Sequence, residues 1–286
     1  MGRLFAMGGV AIVVLAAAIT NAAELVVIEN SIGLKLVAIP AGKFTMGSPT
    51  GEKNRLANEK QVAVTITKPF LMGQTEVTQG QWKAVMGTEP WKGKDNTMEG
   101  TNHPASFMSW DDATAFCEKL TAMEKESGKI EAGERYLLPT EAQWEYACRA
   151  GTTTAFWGDE AQLSTYAWWG GLIGSGNAQN EQYAHEVATK KPNAWGLYDM
   201  RGNCWEWCND YYSNKLSGGN DPKGPTAGSA RVIRGGSWSL SAFLCRSAYR
   251  QNYAPTPRSD DDGFRVVRLS EATDTAAAEK FGPPAR

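Results

Sequence analysis

Residues 193–207 read NAWGLYDMRGNCWEW and bring two acids, two glycines and three tryptophans into one short stretch. Asp199 and Glu206 supply hard anionic oxygens, and the glycine-containing turn between them can present backbone carbonyl oxygens. Calcium takes roughly six to eight oxygen ligands of this kind. The stretch therefore predicts a calcium loop, and two solvated acids beside a turn are the alternative.

No long helical period appears after Gly151. Short aromatic runs alternate there with clusters of Gly, Asn, Asp and Pro, which predicts brief strands joined by long ordered loops. The whole chain has 11 Trp and 30 Gly, and this pairing combines large rigid packing surfaces with tight, irregular backbone. We expect a loop-rich fold.

The first half carries the regular elements. Residues 35–48 and 62–68 alternate apolar with polar side chains, as half-buried strands do, and we interpret residues 49–60 and 124–134 as surface loops. Three helices are predicted from a hydroxyl cap followed three residues later by a polar partner, and Gly151 is placed to end the third of them. The pairs are Thr78 with Gln81, Ser109 with Asp112, and Thr140 with Gln143.

The two ends of the chain differ from its body. Residues 1–23 combine Arg3, an apolar run and small residues before Glu24, which predicts a cleaved signal peptide and an exported protein, periplasmic or secreted. An uncleaved membrane anchor is the alternative. Residues 270–286 have no apolar period and are expected to be disordered, so we place one domain at residues 30–269.

Charge and cysteine content limit the partners. The net charge of −2, with signs interspersed, gives no basic stripe of the kind that nucleic acid or anionic lipid attracts. Five cysteines are an odd number for an exported protein, so at least one thiol is free or bonded to another chain.

Five segments, taken together, resemble the formylglycine-generating enzyme family, also called the sulfatase-modifying factor family. The resemblance covers nearly all of residues 35–269 and implies an α+β, modified C-type-lectin-like fold. The segments are FTMGSP (44–49), TEVTQGQW (75–82), LPTEAQWEYACRAGT (138–152), NAWGLYDMRGNCWEW (193–207), and RVIRGGSW (231–238) with GFRVVR (263–268).

The resemblance also implies a ligand set for calcium. At the matching positions Asp199 and Glu206 bind through side chains, while Gly202 and Cys204 bind through main-chain oxygens. A second calcium site of the family uses an Asn where this chain has Trp168, and an indole cannot bind calcium. We therefore expect one calcium ion.

Copper chemistry is where this chain departs from the family. The oxidases hold copper(I) with two cysteines, and the matching positions here are Leu240 and Cys245. One thiolate cannot form the two-coordinate copper site, so we expect the usual mechanism to fail unless another sulfur reaches Cys245. The two residues of the family's oxygen pocket are retained as Ser237 and Trp205, so the candidate catalytic set is Cys245, Ser237 and Trp205.

The remaining cysteines are interpreted as structural. Cys117 and Cys148 match family cysteines whose disulfide partners fall here at Val266 and Arg250, so both are expected to be buried thiols. Cys204 and Cys208 are also expected to be structural.

Two classes of function follow. The first is a calcium-stabilised binding or maturation protein without oxidase activity, which presents the polar and aromatic residues of segment 239–262 to a peptide, glycan or partner protein. The alternative is an oxidase that converts a cysteine of an unfolded sulfatase to formylglycine.

Overall fold

The computed structural model describes residues 25–157, 160–170 and 182–270. The predicted signal peptide and the predicted tail beyond Ser270 lie outside these residues. Within the described part, no helix has the length and apolar character needed to cross a bilayer. The strands are β1 Val27–Glu29, β2 Lys35–Ile39, β3 Gly42–Met46, β4 Val62–Ile66, β5 Phe70–Gly73, β6 Glu134–Leu137, β7 Trp205–Tyr211, β8 Gly219–Asn220, β9 Arg231–Arg234, β10 Gln251–Tyr253, β11 Asp262–Gly263 and β12 Val267–Ser270. The α-helices are α1 Gln79–Met86, α2 Trp110–Glu126 and α3 Glu141–Arg149.

The strands form three sheets. The largest has the order β1-β2-β5-β12-β6 and is antiparallel throughout, so the last strand of the domain lies between two strands of its first half. A second sheet has the order β10-β9-β7-β11, in which β11 runs parallel to β7, and a third has the order β3-β4-β8. This arrangement confirms the α+β class.

All three predicted caps are present. Each of the hydroxyls of Thr78, Ser109 and Thr140 accepts a hydrogen bond from the backbone N–H three residues on, and the side chain there bonds back to the cap's own N–H. At the end of α3 the left-handed cap is Ala150, with φ 44°, and not Gly151 as predicted. Gly151 follows, also at positive φ.

The prediction of two surface loops was partly wrong. Helix α2 runs on to Glu126, and Glu124 is buried, where its carboxylate accepts hydrogen bonds from Ser31. In residues 49–60, Glu59 is fully buried and paired with Arg246. Both carboxylates have partners that are distant in sequence, which a local charge pattern does not show.

The second half is loop-rich, as composition predicted. Between the end of α3 and the start of β7, the described residues contain one short 3-10 helix, Glu160–Thr165, and no α-helix. The core beneath is aromatic: Trp82 stacks on Phe116 at 5.7 Å between ring centres, and Phe116 meets Phe264 edge-on at 5.3 Å.

Candidate functional site

The glycine turn of residues 199–206 is fixed by the carbonyl of Trp168. Gly202 has φ +71°, and a Cβ added there would lie 1.9 Å from that carbonyl oxygen. The N–H of Asn203 donates to the same oxygen at 2.8 Å, and the N–H of Gly202 donates to the carbonyl of Gly235. Only glycine fits this close approach.

Asp199 opens the turn from a buried position. Its backbone is left-handed, with φ 55°, and its Oδ2 accepts a hydrogen bond from the N–H of Ala188 at 2.7 Å. Its Oδ1 is buried and has no hydrogen-bond partner among the described residues. Burial raises the pKa of Asp199 to about 6, although the Ala188 hydrogen bond opposes the shift.

Glu206 closes the turn and is fully buried. Both of its oxygens accept from the guanidinium of Arg265 at 2.6 Å, and Oε2 also accepts from the indole N–H of Trp144 at 2.7 Å. Arg265 donates further to the carbonyls of Gly73 and Tyr198. This network orients the Glu206 carboxylate rigidly.

A third buried carboxylate belongs to the site, and sequence reasoning did not select it. Oε1 of Glu76 accepts from the amide of Asn203, while Oε2 is buried without a partner among the described residues. Burial raises the pKa of Glu76 well above its usual value, and the neighbouring charges of Asp199 and Glu206 add to the shift. The available signal was a lone acid between Thr75 and Val77 in TEVTQGQW.

Three buried carboxylates thus face a single guanidinium. Among the described residues, no group of three or more His, Cys, Asp or Glu side chains is arranged to hold a metal ion by itself. The ligand set that the family resemblance implies needs only two side chains, because its other two ligands would be the main-chain oxygens of Gly202 and Cys204. The unpartnered oxygens of Asp199 and Glu76 fit a cation, since a buried anionic oxygen needs a positive partner.

Trp168, at the position of the missing Asn ligand, carries a different kind of contact. The ammonium of Lys190 lies 3.6 Å above its ring, and the imidazole of His185 stacks beside it at 3.7 Å. The indole N–H donates to Thr189. These contacts hold the residues around His185 against the turn.

Ser237 and Trp205 are brought together by Asp261. The hydroxyl of Ser237 donates to Oδ2 of Asp261 at 2.7 Å, and the backbone N–H of Trp205 donates to the carbonyl of Asp261 at 2.8 Å. The indole N–H of Trp205 is buried without a partner among the described residues, and its ring lies 6.0 Å from that of Tyr249.

Cys245 lies in the same region but beneath the surface. It is fully buried, and Gly236, at φ +77°, packs so closely that a Cβ there would lie 2.7 Å from Sγ. Burial raises the pKa of the Cys245 thiol to about 12. Leu240 is half-buried and packs against the main core, so an alkyl group fills the place of the first family cysteine.

The other cysteines are free and buried, which confirms the expectation for Cys117 and Cys148. Burial raises the pKa of both thiols. Val266 is in the core, and Arg250 is paired with Glu141. Cys204 and Cys208 are likewise buried without a disulfide.

Segment 239–262 is only partly a surface. Tyr253 is 41% exposed, whereas Tyr249 is buried. The segment ends in the acidic run Asp260, Asp261 and Asp262, to which the sequence analysis assigned no role. Burial raises the pKa of Asp262 to about 8, and the neighbouring charges of Asp261 and Asp260 add to the shift.

Comparison with known proteins places these features in context. The model of the sulfatase-modifying factor enzyme 1-like domain matches residues 28–270. A formylglycine-generating enzyme from Streptomyces coelicolor is 30% identical over 85% of this chain and 92% of its own. The chaperone protein LppX from Paenibacillus barcinonensis is 28% identical over 82% of this chain and 89% of its own. Among solved structures, Treponema denticola variable protein 1 superposes with a TM-score of 0.71 and 31% identity, covering 85% of this chain and 98% of its own.

Proposed function

Because this chain belongs to the sulfatase-modifying factor enzyme 1-like domain family, we propose that it is an exported, calcium-stabilised member that binds a protein or peptide and does not generate formylglycine. Leu240 stands at the position of the family's first copper cysteine. Its half-buried side chain packs on the core and offers no ligand to a metal.

The state of the remaining thiol supports the loss of oxidase activity. Cys245 is fully buried, and its high pKa keeps it protonated near neutral pH. The thiolate, and not the thiol, is the nucleophile and the metal ligand. A lone buried thiol of this kind reacts poorly with a peptide at the protein surface.

Calcium is supported by the charge of the buried cluster. Glu76, Asp199 and Glu206 surround the guanidinium of Arg265, and two of their oxygens have no partner among the described residues. One divalent cation would neutralise the excess, with Asp199 and Glu206 as side-chain ligands and Gly202 and Cys204 as main-chain ligands. Bound there, calcium would fix the turn that carries Trp205.

The binding surface is supported by what surrounds that turn. Trp205 and Ser237 are buried and hydrogen-bonded to the half-buried Asp261, and Tyr253 exposes its ring nearby on β10. An exposed tyrosine is suited to peptide recognition because it joins a large apolar surface to a polar group. That a relative is a chaperone protein is consistent with binding or maturation. Export rests on the apolar run within residues 1–23.

The oxidase remains the second candidate, favoured by the retained Cys245, Ser237 and Trp205 and by the likeness to a formylglycine-generating enzyme. Oxidation of a peptide requires the Cys245 thiol, whereas binding of a peptide does not.

The test uses a fluorescein-labelled peptide with the sulfatase motif Cys-x-Pro-x-Arg and measures fluorescence polarisation in calcium. We expect saturable binding that Tyr253→Ala weakens and Cys245→Ser leaves unchanged. Leu56→Ala, an exposed apolar residue elsewhere, is the matched control. Absence of saturable binding, or its loss in Cys245→Ser, would count against the proposal.

A further inference from the structure

Residues 213–225 form a strap that follows β7 and packs over the start of α3. The strap contains β8, which pairs with β4 in parallel orientation. The backbone N–H of Asp221 donates to the carbonyl of Thr65 at 2.9 Å, and the Asp221 carboxylate accepts from the N–H of Thr67 at 2.8 Å. These bonds fix the middle of the strap to the third sheet, so its position on α3 depends on other contacts.

Asp210, the next-to-last residue of β7, lies beneath the strap and is only 4% exposed. Its Oδ2 accepts a hydrogen bond from the N–H of Glu141, the first residue of α3, at 2.9 Å. Its Oδ1 points at the strap, where Gly224 has φ +68° and a Cβ added to Gly224 would lie 3.1 Å from this oxygen. No described donor reaches Oδ1. One carboxyl oxygen is therefore bonded to α3, and the other meets the strap without a partner.

The space between the strap and α3 is too small to hydrate a charge. A cavity of about 10 Å³ lies there, which is roughly the room that a single water molecule needs. Its lining includes Glu141, Asp210, Ser213, Ser217, Gly224 and Arg250. An ionised carboxylate that is removed from water needs a cation or hydrogen bonds in exchange.

The cations around Asp210 are committed to other groups. Both oxygens of Glu141 accept from Arg250, at 2.5 and 2.7 Å. Arg231 on β9 is held between two aromatic rings, and Lys215 lines the cavity from the strap. None of these described cations forms an ion pair with Asp210.

Proton binding is the remaining way to remove the charge of Asp210. Burial raises the pKa of Asp210 to about 7; the charge of Glu141 adds to the shift, while the Glu141 N–H, Arg250 and Arg231 oppose it. Cys208 lies nearby on β7, and burial raises the pKa of its thiol well above the usual value, so it stays neutral. Near neutral pH, Asp210 therefore changes between a carboxylic acid and a carboxylate.

We propose that the strap is closed while Asp210 is protonated and opens when Asp210 loses its proton. In the closed form the neutral carboxyl group fits the small cavity without an unpaired charge. After the proton leaves to solvent, opening of the strap gives the carboxylate the water that the cavity lacks. This device does not depend on the proposed binding function, since Asp210 lies at the opposite end of β7 from Trp205 and Glu206.

The test is hydrogen–deuterium exchange of the full chain, read as protection factors of the amides in residues 213–225. The closed form has an Asp210 pKa of about 7, whereas a solvated Asp has a pKa of about 3.9. Between these values the closed form holds a proton that the open form has lost, so closure weakens as pH rises. We expect the protection factors to fall about tenfold per pH unit between about pH 5 and about pH 7, and to stay level above about pH 8.

Asp210→Asn cannot ionise, so its protection factors should not change with pH. Asp221→Asn is the matched control, because it removes a carboxylate that holds the same strap from outside the cavity. It should lower protection equally at every pH and retain the wild-type slope. The carbon-13 shift of the Asp210 carboxyl in the wild type is a second measurement that needs no variant, and its midpoint should lie near pH 7. Level protection in the wild type, a slope that persists in Asp210→Asn, or a carboxyl midpoint below about pH 5 would overturn the proposal.

Discussion

Asp199 and Gly202 both adopt a left-handed backbone conformation. Each could be selected from the sequence, but for a different reason. Glycine marks the turn because it alone tolerates the approach of the Trp168 carbonyl. The acids beside it predict a cation site. Glu76 was not predicted because its partner Asn203 is far away in the chain. Local pattern identifies a turn, but it cannot show what folds against that turn.

Replacing Gly202 with alanine should destabilise the protein more than the same change at Gly151. Both glycines have positive φ, which costs alanine roughly 1–2 kcal/mol. At Gly202 the new Cβ also meets the Trp168 carbonyl, whereas nothing lies within 4 Å at Gly151. Urea unfolding of the two variants measures the difference, and equal losses would contradict the close approach.

The carboxyl of Asp262 should make stability fall as pH rises. Its folded pKa is about 8, whereas an unfolded Asp has a pKa of about 3.9. Between those values the folded state holds a proton that the unfolded state has lost, so the free energy of unfolding decreases as pH rises through that window. Asp262→Asn should flatten this dependence in urea unfolding between about pH 5 and about pH 8.

Asp95→Asn, at an exposed position, is the control and should leave the slope unchanged. A slope that Asp262→Asn does not alter would mean that this carboxyl is solvated.

At the scale of elements, the three helices were predictable because a capping box is a local signal. The signal of each helix lies within four residues, beginning at the cap residue Thr78, Ser109 or Thr140. The surface loops were mispredicted because Glu124 and Glu59 are compensated from distant segments. The aromatic, glycine-rich second half indicated short strands and long loops without revealing their pairing.

The segment around Glu59 depends on Arg246 for its position. The guanidinium donates to both oxygens of Glu59, at 2.7 and 2.9 Å, and to the carbonyl of Asn54. Arg246→Met leaves the buried carboxylate of Glu59 without the cation that balances it, although the Ser48 hydroxyl still donates to it, and should cost about 3–5 kcal/mol. Arg258→Met removes an exposed pair with Asp112 and should cost about 0–1 kcal/mol. Urea unfolding compares them, and similar losses would show that Glu59 is solvated.

Contacts between the first half of the chain and its end complete the fold, and the sequence did not predict them. Strand β12 enters the large sheet between β5 and β6, so that sheet joins the first half of the chain to its end. Register between such distant strands is set by the packing of both halves together. The family resemblance supplied the fold class, and composition supplied the loop-rich character.

Calcium should stabilise the molecule as a whole. A ligand that binds only the folded state adds about 2.7 kcal/mol when its concentration is 100 times Kd. We expect the thermal midpoint to fall when a chelator removes calcium from the wild type. Asp199→Asn should abolish that shift, while Asp111→Asn, at an exposed position, should retain it. A wild-type midpoint that ignores the chelator would contradict the calcium site.

We expect that this family member does not oxidise peptide cysteine, because Leu240 stands at the position of the family's first copper cysteine. The most direct test is mass spectrometry of a Cys-x-Pro-x-Arg peptide after incubation with the purified chain, calcium, copper, reductant and oxygen. The Streptomyces coelicolor relative serves as the positive control. We predict that the peptide mass stays unchanged with this chain; loss of the thiol with formation of an aldehyde would contradict the account.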